Sequence, residues 1–173
     1  MKKEDYVLTI KAEARPGLLH LLTGVIEKKL IKIKSLTSSP TDIHDIILVT
    51  IEVNGDESEL SQLAFKIENI IEVFKVEVLK YNVTTCLRAA YFKLNKEVLE
   101  SSKVVTFSKY DAVIVKLYPD AFLLAKYGTD TTIRQLYNEL DGPHLLGFSQ
   151  TGLITESALI GHDDIERISK LAA

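Results

Sequence analysis

RPGLLHLLTGVIEKKLIKIKSLTSSPTD, residues Arg15 to Asp42, is the stretch that decides the fold. It reads as a turn, an apolar-faced helix, a short connection, and a strand that stops at a Ser-Ser-Pro turn. Pro16 suits the first turn of a helix, where its missing N–H would have no partner in any case. Gly17 carries no Cβ to hinder the approach of another molecule. Leu18, Leu22, Val25 and Ile26 share one helical stripe with Leu21 at its margin, while His20, Thr23, Glu27 and Lys28 lie away from it. Near Lys29 the period changes: Ile31, Ile33 and Ser35 alternate with Lys32 and Lys34 as in a strand. The helix start leaves the Gly17 and Leu18 amides free at the positive end of the macrodipole, a place for a small carboxylate. The plainer reading is an ordinary helix start with water on its amides.

Working outward, Tyr6–Ala12 alternates as a first strand, and Ile47–Val53 as a third that ends at Asn54-Gly55. Asp56 with Glu59 three residues on marks a helix start, and Leu60, Leu63, Ala64 and Ile67 give its buried stripe. Val73–Lys80 closes a β-α-β-β-α-β order, with two helices on one face of an antiparallel sheet. The second half repeats the plan. Thr85–Leu94, Ala112–Tyr118, Phe122–Tyr127 and Leu145–Gln150 read as strands, Asn95 to about Val105 as a weaker helix, and the segment after Gly128-Thr129-Asp130 as a stronger one. This is a repeat of architecture and not of letters. The fold class is therefore α+β, two tandem ferredoxin-like (βαββαβ) domains spanning 1–81 and 82–173. A last short helix is expected within Asp163–Leu171.

Composition narrows the function. The chain has 173 residues, 46% hydrophobic and 26% charged, which is globular rather than disordered. A net charge of −3 argues against nucleic-acid binding driven by counterion release. No apolar run approaches the roughly 20 residues that span a bilayer, and the N-terminus lacks a signal-peptide pattern. The single cysteine, Cys86, cannot form an internal disulfide and fits a reducing cytoplasm.

Catalytic patterns are missing. His20, His44, His144 and His162 are scattered without metal-ligand spacing. Cys86 has no flanking base, and the run around Ser149 is one residue too long for a nucleophile elbow. No glycine-rich phosphate loop occurs. An RNA-recognition sheet would need aromatic rings where Val49, Thr50 and Ile51 stand. The reading is of a non-enzyme without a metal site.

In this topology the strand after the first helix lies at the sheet edge. Ile31–Ser39 could then pair with a second copy about a two-fold axis, through Ile31, Ile33, Ser35 and Thr37. Pairing would bring the Gly17 turn of one copy near the edge strand of the other, so that a small zwitterion binds across the seam and biases the assembly. Lys32 and Lys34 weigh against this, as charges that proteins place on edges to prevent pairing.

The sequence resembles the regulatory (small) subunit family of acetolactate synthase, also called acetohydroxyacid synthase, whose N-terminal half is an ACT domain. The resemblance is carried by Pro16-Gly17-Leu18-Leu19, Gly24-Val25-Ile26, Ile33-Lys34-Ser35-Leu36-Thr37 and Ser39-Pro40-Thr41. Ile67-Glu68, Val73-Phe74-Lys75-Val76, Asp120-Ala121-Phe122 through Tyr127-Gly128-Thr129, and Gln150-Thr151-Gly152 continue it. It implies a homodimer through the ACT edge strands, an interfacial site for a branched-chain amino acid such as valine, and attachment to a large catalytic subunit. Thiamine diphosphate, Mg²⁺ and FAD would belong to that partner, and no cofactor to this chain. The implied effector residues are Ala14, Arg15, Pro16, Gly17, Leu18, Lys32 and Ile33. Ala14 and Lys32 replace the family's effector-holding asparagines, Lys34 its glutamate, and Leu30 its glycine. Lysine has three donors and no acceptor, and it repels an ammonium. Valine binding is therefore expected to be weakened, altered or lost. The rival reading is a free-standing ACT-type amino-acid-binding module with another partner.

Overall fold

A computed structural model of the chain describes residues 3–156. The first half runs β1 (Glu4–Glu13), α1 (Leu18–Glu27), β2 (Lys32–Pro40), β3 (Ile46–Gly55), α2 (Glu57–Glu68) and β4 (Val73–Lys80). The second runs β5 (Cys86–Asn95), a 3-10 turn (Lys96–Glu100), α3 (Val104–Lys109), β6 (Val113–Leu117), β7 (Ala121–Gly128), α4 (Asp130–Leu140) and β8 (Leu145–Gln150), followed by the short β9 (Ile154–Thr155). One antiparallel sheet has the order β2-β3-β1-β4, and the main path of the other is β6-β7-β5-β8. The two orders are one permutation applied twice, so the fold is α+β with a repeated βαββαβ unit, as the periodicity implies. The helix expected within Asp163–Leu171 lies outside the described residues.

Each unit has its own core. In the first, Tyr6, Leu8, Ile10 and Ala12 of β1 pack with Leu18, Leu22 and Ile26 of α1 and Leu60, Leu63 and Ile67 of α2. Val7, Thr9 and Lys11, which alternate with them, are buried as well, so β1 is covered on both faces. In the second, Phe92 and Leu94 of β5 and Phe122 and Leu124 of β7 meet Ile133, Leu136 and Leu140 of α4. The Asp56 carboxylate accepts a 3.0 Å bond from the Ser58 amide and caps α2. Thr129 caps α4 in the same way, through the Thr132 amide.

Three expectations are corrected. The single helix across Asn95–Val105 is a 3-10 turn followed by a short α3 that starts later. Its break is chemical: the Ser101 hydroxyl donates to the Val98 carbonyl at 2.7 Å and accepts from the Lys103 amide at 3.2 Å, taking backbone partners a continuous helix would use. Strand β2 does not stop at the Ser-Ser-Pro segment but runs through it. Ser38, Ser39 and Pro40 pair with Val49, Leu48 and Ile47, a proline being tolerable on an outer strand. The domain limits also differ. Among the described residues the compact units are 3–85 with 152–156, and 86–151. The end of the expected second domain therefore returns to the first unit. There Gly152 lies against Thr37 and the Leu36 backbone, a place with no room for a Cβ, and the Glu156 amide donates to the Thr85 carbonyl at 3.3 Å.

The outermost strands of the two units contrast. On β2 the most exposed residues are lysines, serines and Pro40. On β6 Val113, Val115 and Leu117 are more than half exposed.

Candidate functional site

The turn that joins β1 to α1 is tied down from behind. The Glu13 amide donates to the Glu72 carbonyl at 2.8 Å, and the Ala14 amide to the Asp45 carbonyl at 2.7 Å. The Arg15 guanidinium pairs with Glu13 at 2.9 Å. Pro16 lies one residue before the helix cap and not in the first turn, because Gly17 is the cap. Gly17 holds φ 89° and ψ −12°, a left-handed backbone that glycine adopts without cost. No atom lies within 4 Å of where its Cβ would stand, so it is needed for its conformation rather than for clearance. The Leu18 amide is already committed to the Arg15 carbonyl at 3.2 Å. No side chain caps α1 and its first turn holds no acid, which leaves the positive end of the helix without a side-chain counterweight.

The other half of the expected site lies past the far end of α1. Leu30 has φ 54° and is 91% exposed. Ile31 is 7% exposed and part of the core, so its side chain does not reach the sheet edge. Lys32 is exposed, across from Asn54, and Ile33 packs partly against the core across from Val53. Register then slips between Ile33 and Ser35, which leaves Lys34 in a bulge. Its ammonium turns back onto the sheet, 2.6 Å from Asp5 and 3.8 Å from Glu52. Asp5 also accepts a 2.7 Å bond from the Asn54 side-chain amide. Lys34 first, and Asn54 after it, hold the Asp5 carboxyl below its ordinary value. The Ser35 hydroxyl donates to Glu52 at 3.2 Å. Thr37 Oγ1 is buried with no hydrogen-bond partner.

Within one copy the two clusters do not meet. Ala14, Arg15, Pro16, Gly17 and Leu18 flank the start of α1, while Lys32 and Ile33 follow its end, about 15 Å away along a helix of 10 residues. A site built from both needs two copies. Among the described residues strand β2 is outermost in its sheet, the position from which pairing with a second copy would proceed. Of the side chains expected at that seam, Ser35 is engaged with Glu52 and Thr37 lies against Gly152. The bulge had a readable signal: Ile33 and Leu36 both pack on the core although an odd spacing separates them, which a regular strand does not allow.

Among the described residues no group of three or more His, Cys, Asp or Glu side chains could hold a metal ion. His20 is exposed. His44 pairs with Asp45 at 2.8 Å and His144 with Glu97 at 3.4 Å. His162 lies outside the described residues. Cys86 is a buried thiol. Among these residues no helix is long and apolar enough to cross a membrane.

No family model matches the chain. It is 23% identical over 142 residues to the acetolactate synthase small subunit of Mycobacterium avium, covering 82% of this chain and 85% of that protein. Over 70 residues it is 33% identical to the acetolactate synthase small subunit of Haemophilus influenzae, covering 40% of this chain and 43% of that one. The crystal structure of the acetolactate synthase small subunit from Thermotoga maritima has the same fold. The TM-score is 0.80 at 14% identity, over 88% of this chain and 96% of the other.

Proposed function

We propose that this chain, similar along most of its length to acetolactate synthase small subunits, is a regulatory subunit that binds and modulates a catalytic large subunit in branched-chain amino acid biosynthesis. The observation that carries the reading is the colinear similarity across both units. On this reading the chain does no chemistry itself, and the thiamine diphosphate, Mg²⁺ and FAD of the synthase reaction are the partner's to hold. Two copies associate through β2. Lys34 adds little like-charge repulsion at that seam, since Asp5 and Glu52 neutralise it from behind.

The seam then holds a weakened effector site. Gly17 and the uncapped start of α1 keep the features that suit a carboxylate. Ala14 offers no side-chain hydrogen bond, and the exposed Lys32 supplies only donors and a charge that opposes an ammonium. Valine therefore binds poorly or not at all, while partner binding persists.

The test is to mix the chain with the catalytic subunit from the same organism, isolate the complex, and measure synthase rate with and without it. A stable complex with a changed rate is expected, and neither one would end the proposal. Calorimetric titration with valine, leucine and isoleucine examines the effector part separately. Micromolar valine affinity would overturn the predicted loss.

A further inference from the structure

Strands β5 and β7 are the inner strands of the β6-β7-β5-β8 path. Phe92, Leu94, Phe122 and Leu124 point from them into the core under α4. Alternation then puts Tyr91 and Lys93 of β5, with Leu123, Ala125 and Tyr127 of β7, on the opposite face. Tyr91 stands across from Ala125, and Tyr127 across from Ala89. The two tyrosines are therefore diagonal neighbours with backbones about 7–8 Å apart, on a floor of alanines. Tyr91 is 48% and Tyr127 69% exposed. Ser149, also exposed, lies across from Tyr91 on β8.

The charge on this face has one sign. Lys93 and Lys116 flank Leu123 in the next row. Their ammoniums lie 5.2 and 5.1 Å from the centroid of the Tyr118 ring, and among the described residues neither pairs with a carboxylate. The register puts no Asp or Glu on this side of the four strands. A second copy laid on the face would add like charge with no acid to answer it, and an apolar partner would strand both lysines. An anion with flat rings satisfies both features. Single-stranded nucleic acid is such a ligand, because every base has a π-face for stacking and every link a phosphate. Sheets of this topology that bind RNA need aromatic rings on the inner strands. The first sheet fails that requirement at Val49, Thr50 and Ile51, whereas the second meets it at Tyr91 and Tyr127. The Ser149 hydroxyl beside Tyr91 suits a ribose 2′-hydroxyl, which selects RNA over DNA.

We propose that this face of the second sheet binds a short segment of single-stranded RNA, with bases stacked on Tyr91 and Tyr127 and phosphates met by Lys93 and Lys116. The whole chain carries a net charge of −3, so binding rests on stacking, and counterion release adds only the share of two cations. The inference stands apart from the regulatory reading above and does not depend on it.

The experiment is fluorescence anisotropy of a labelled oligouridylate titrated with the full chain. Binding should saturate, and weaken about tenfold in Tyr91→Ala and in Tyr127→Ala. Both rings are exposed, so these variants should melt with the parent. Tyr91→Phe and Tyr127→Phe should keep the affinity, since a stacked base needs the ring and not the hydroxyl. The logarithm of the binding constant should fall with the logarithm of salt at a slope of about −1.4, for two neutralised phosphates. Lys93→Gln with Lys116→Gln should bring that slope near zero. The deoxy strand should bind several-fold more weakly than the RNA, and Ser149→Ala should erase the difference. Absence of saturable RNA binding would overturn the proposal, even if the alanine variants then altered self-association or capture of the catalytic subunit. So would parental affinity in either folded alanine variant, or a deoxy strand that binds as tightly as the RNA.

Discussion

Leu30 sits at φ 54° with its side chain in solvent, so it suffers the left-handed penalty of an L-residue and gains no burial in return. That conformation costs about 1–2 kcal/mol, part of which glycine gives back through its greater freedom in the unfolded chain. Leu30→Gly should therefore raise the unfolding free energy by roughly 0.5–1 kcal/mol, read from urea denaturation. Gly17, at φ 89°, predicts the reverse. Gly17→Ala should lower stability by about 1 kcal/mol although its Cβ meets nothing, because the cost lies in the backbone. Of these two residues only Gly17 announces itself in the sequence. A leucine carries no mark of positive φ, and only the comparison with a family glycine draws attention to Leu30.

Among the elements, α2 was legible because its cap, period and burial agree, and β4 because its apolar pattern carries the buried Val73 and Val76. The bounds read for β4 and β8, Val73–Lys80 and Leu145–Gln150, are those in the structure. The segment after β5 was not, since Ser101 competes for the backbone and only Val98 and Phe107 of its helical pieces are buried. Strand β2 was placed correctly at the edge, but its bulge redirects Lys34 from the candidate site to Asp5. This gives a pH signature. The folded Asp5 carboxyl lies below its unfolded value, so its contribution is complete above the unfolded pKa of about 3.9 and disappears as pH falls through the lower, folded value. Asp5 and Lys34 are both more than a third exposed, so the effect is small. Lys34→Met should cost about 0.2–1 kcal/mol at neutral pH. It should also flatten the decline of the urea midpoint between about pH 5 and about pH 2. A decline as steep as in the parent protein would show that the pair contributes nothing.

For the molecule as a whole, the repeated strand permutation follows from two successive runs of the same period pattern. That is why the topology was readable while the unit limits were not. Gly152–Thr155 has no periodicity to assign it to either half, and its place depends on the fit of Gly152 against Thr37. Gly152→Ala should destabilise by roughly 1–3 kcal/mol through overpacking. Because the nearest obstacle is Thr37 Oγ1, Thr37→Ala should restore part of that loss, a non-additivity that a double-mutant cycle would detect. Additive losses would mean that the Leu36 backbone, and not the hydroxyl, limits the space.

The same return of residues 152–156 to the first unit has a consequence for biosynthesis. Residues 86–151 are contiguous and can close as soon as they leave the ribosome, whereas the half translated earliest waits for residues made after them. The usual head-to-tail order of maturation is thereby inverted in its final step. Chains truncated just short of Gly152 and released from the ribosome should carry the β6-β7-β5-β8 path of the second sheet without β9, and a first sheet whose Thr37 corner still stands open to water.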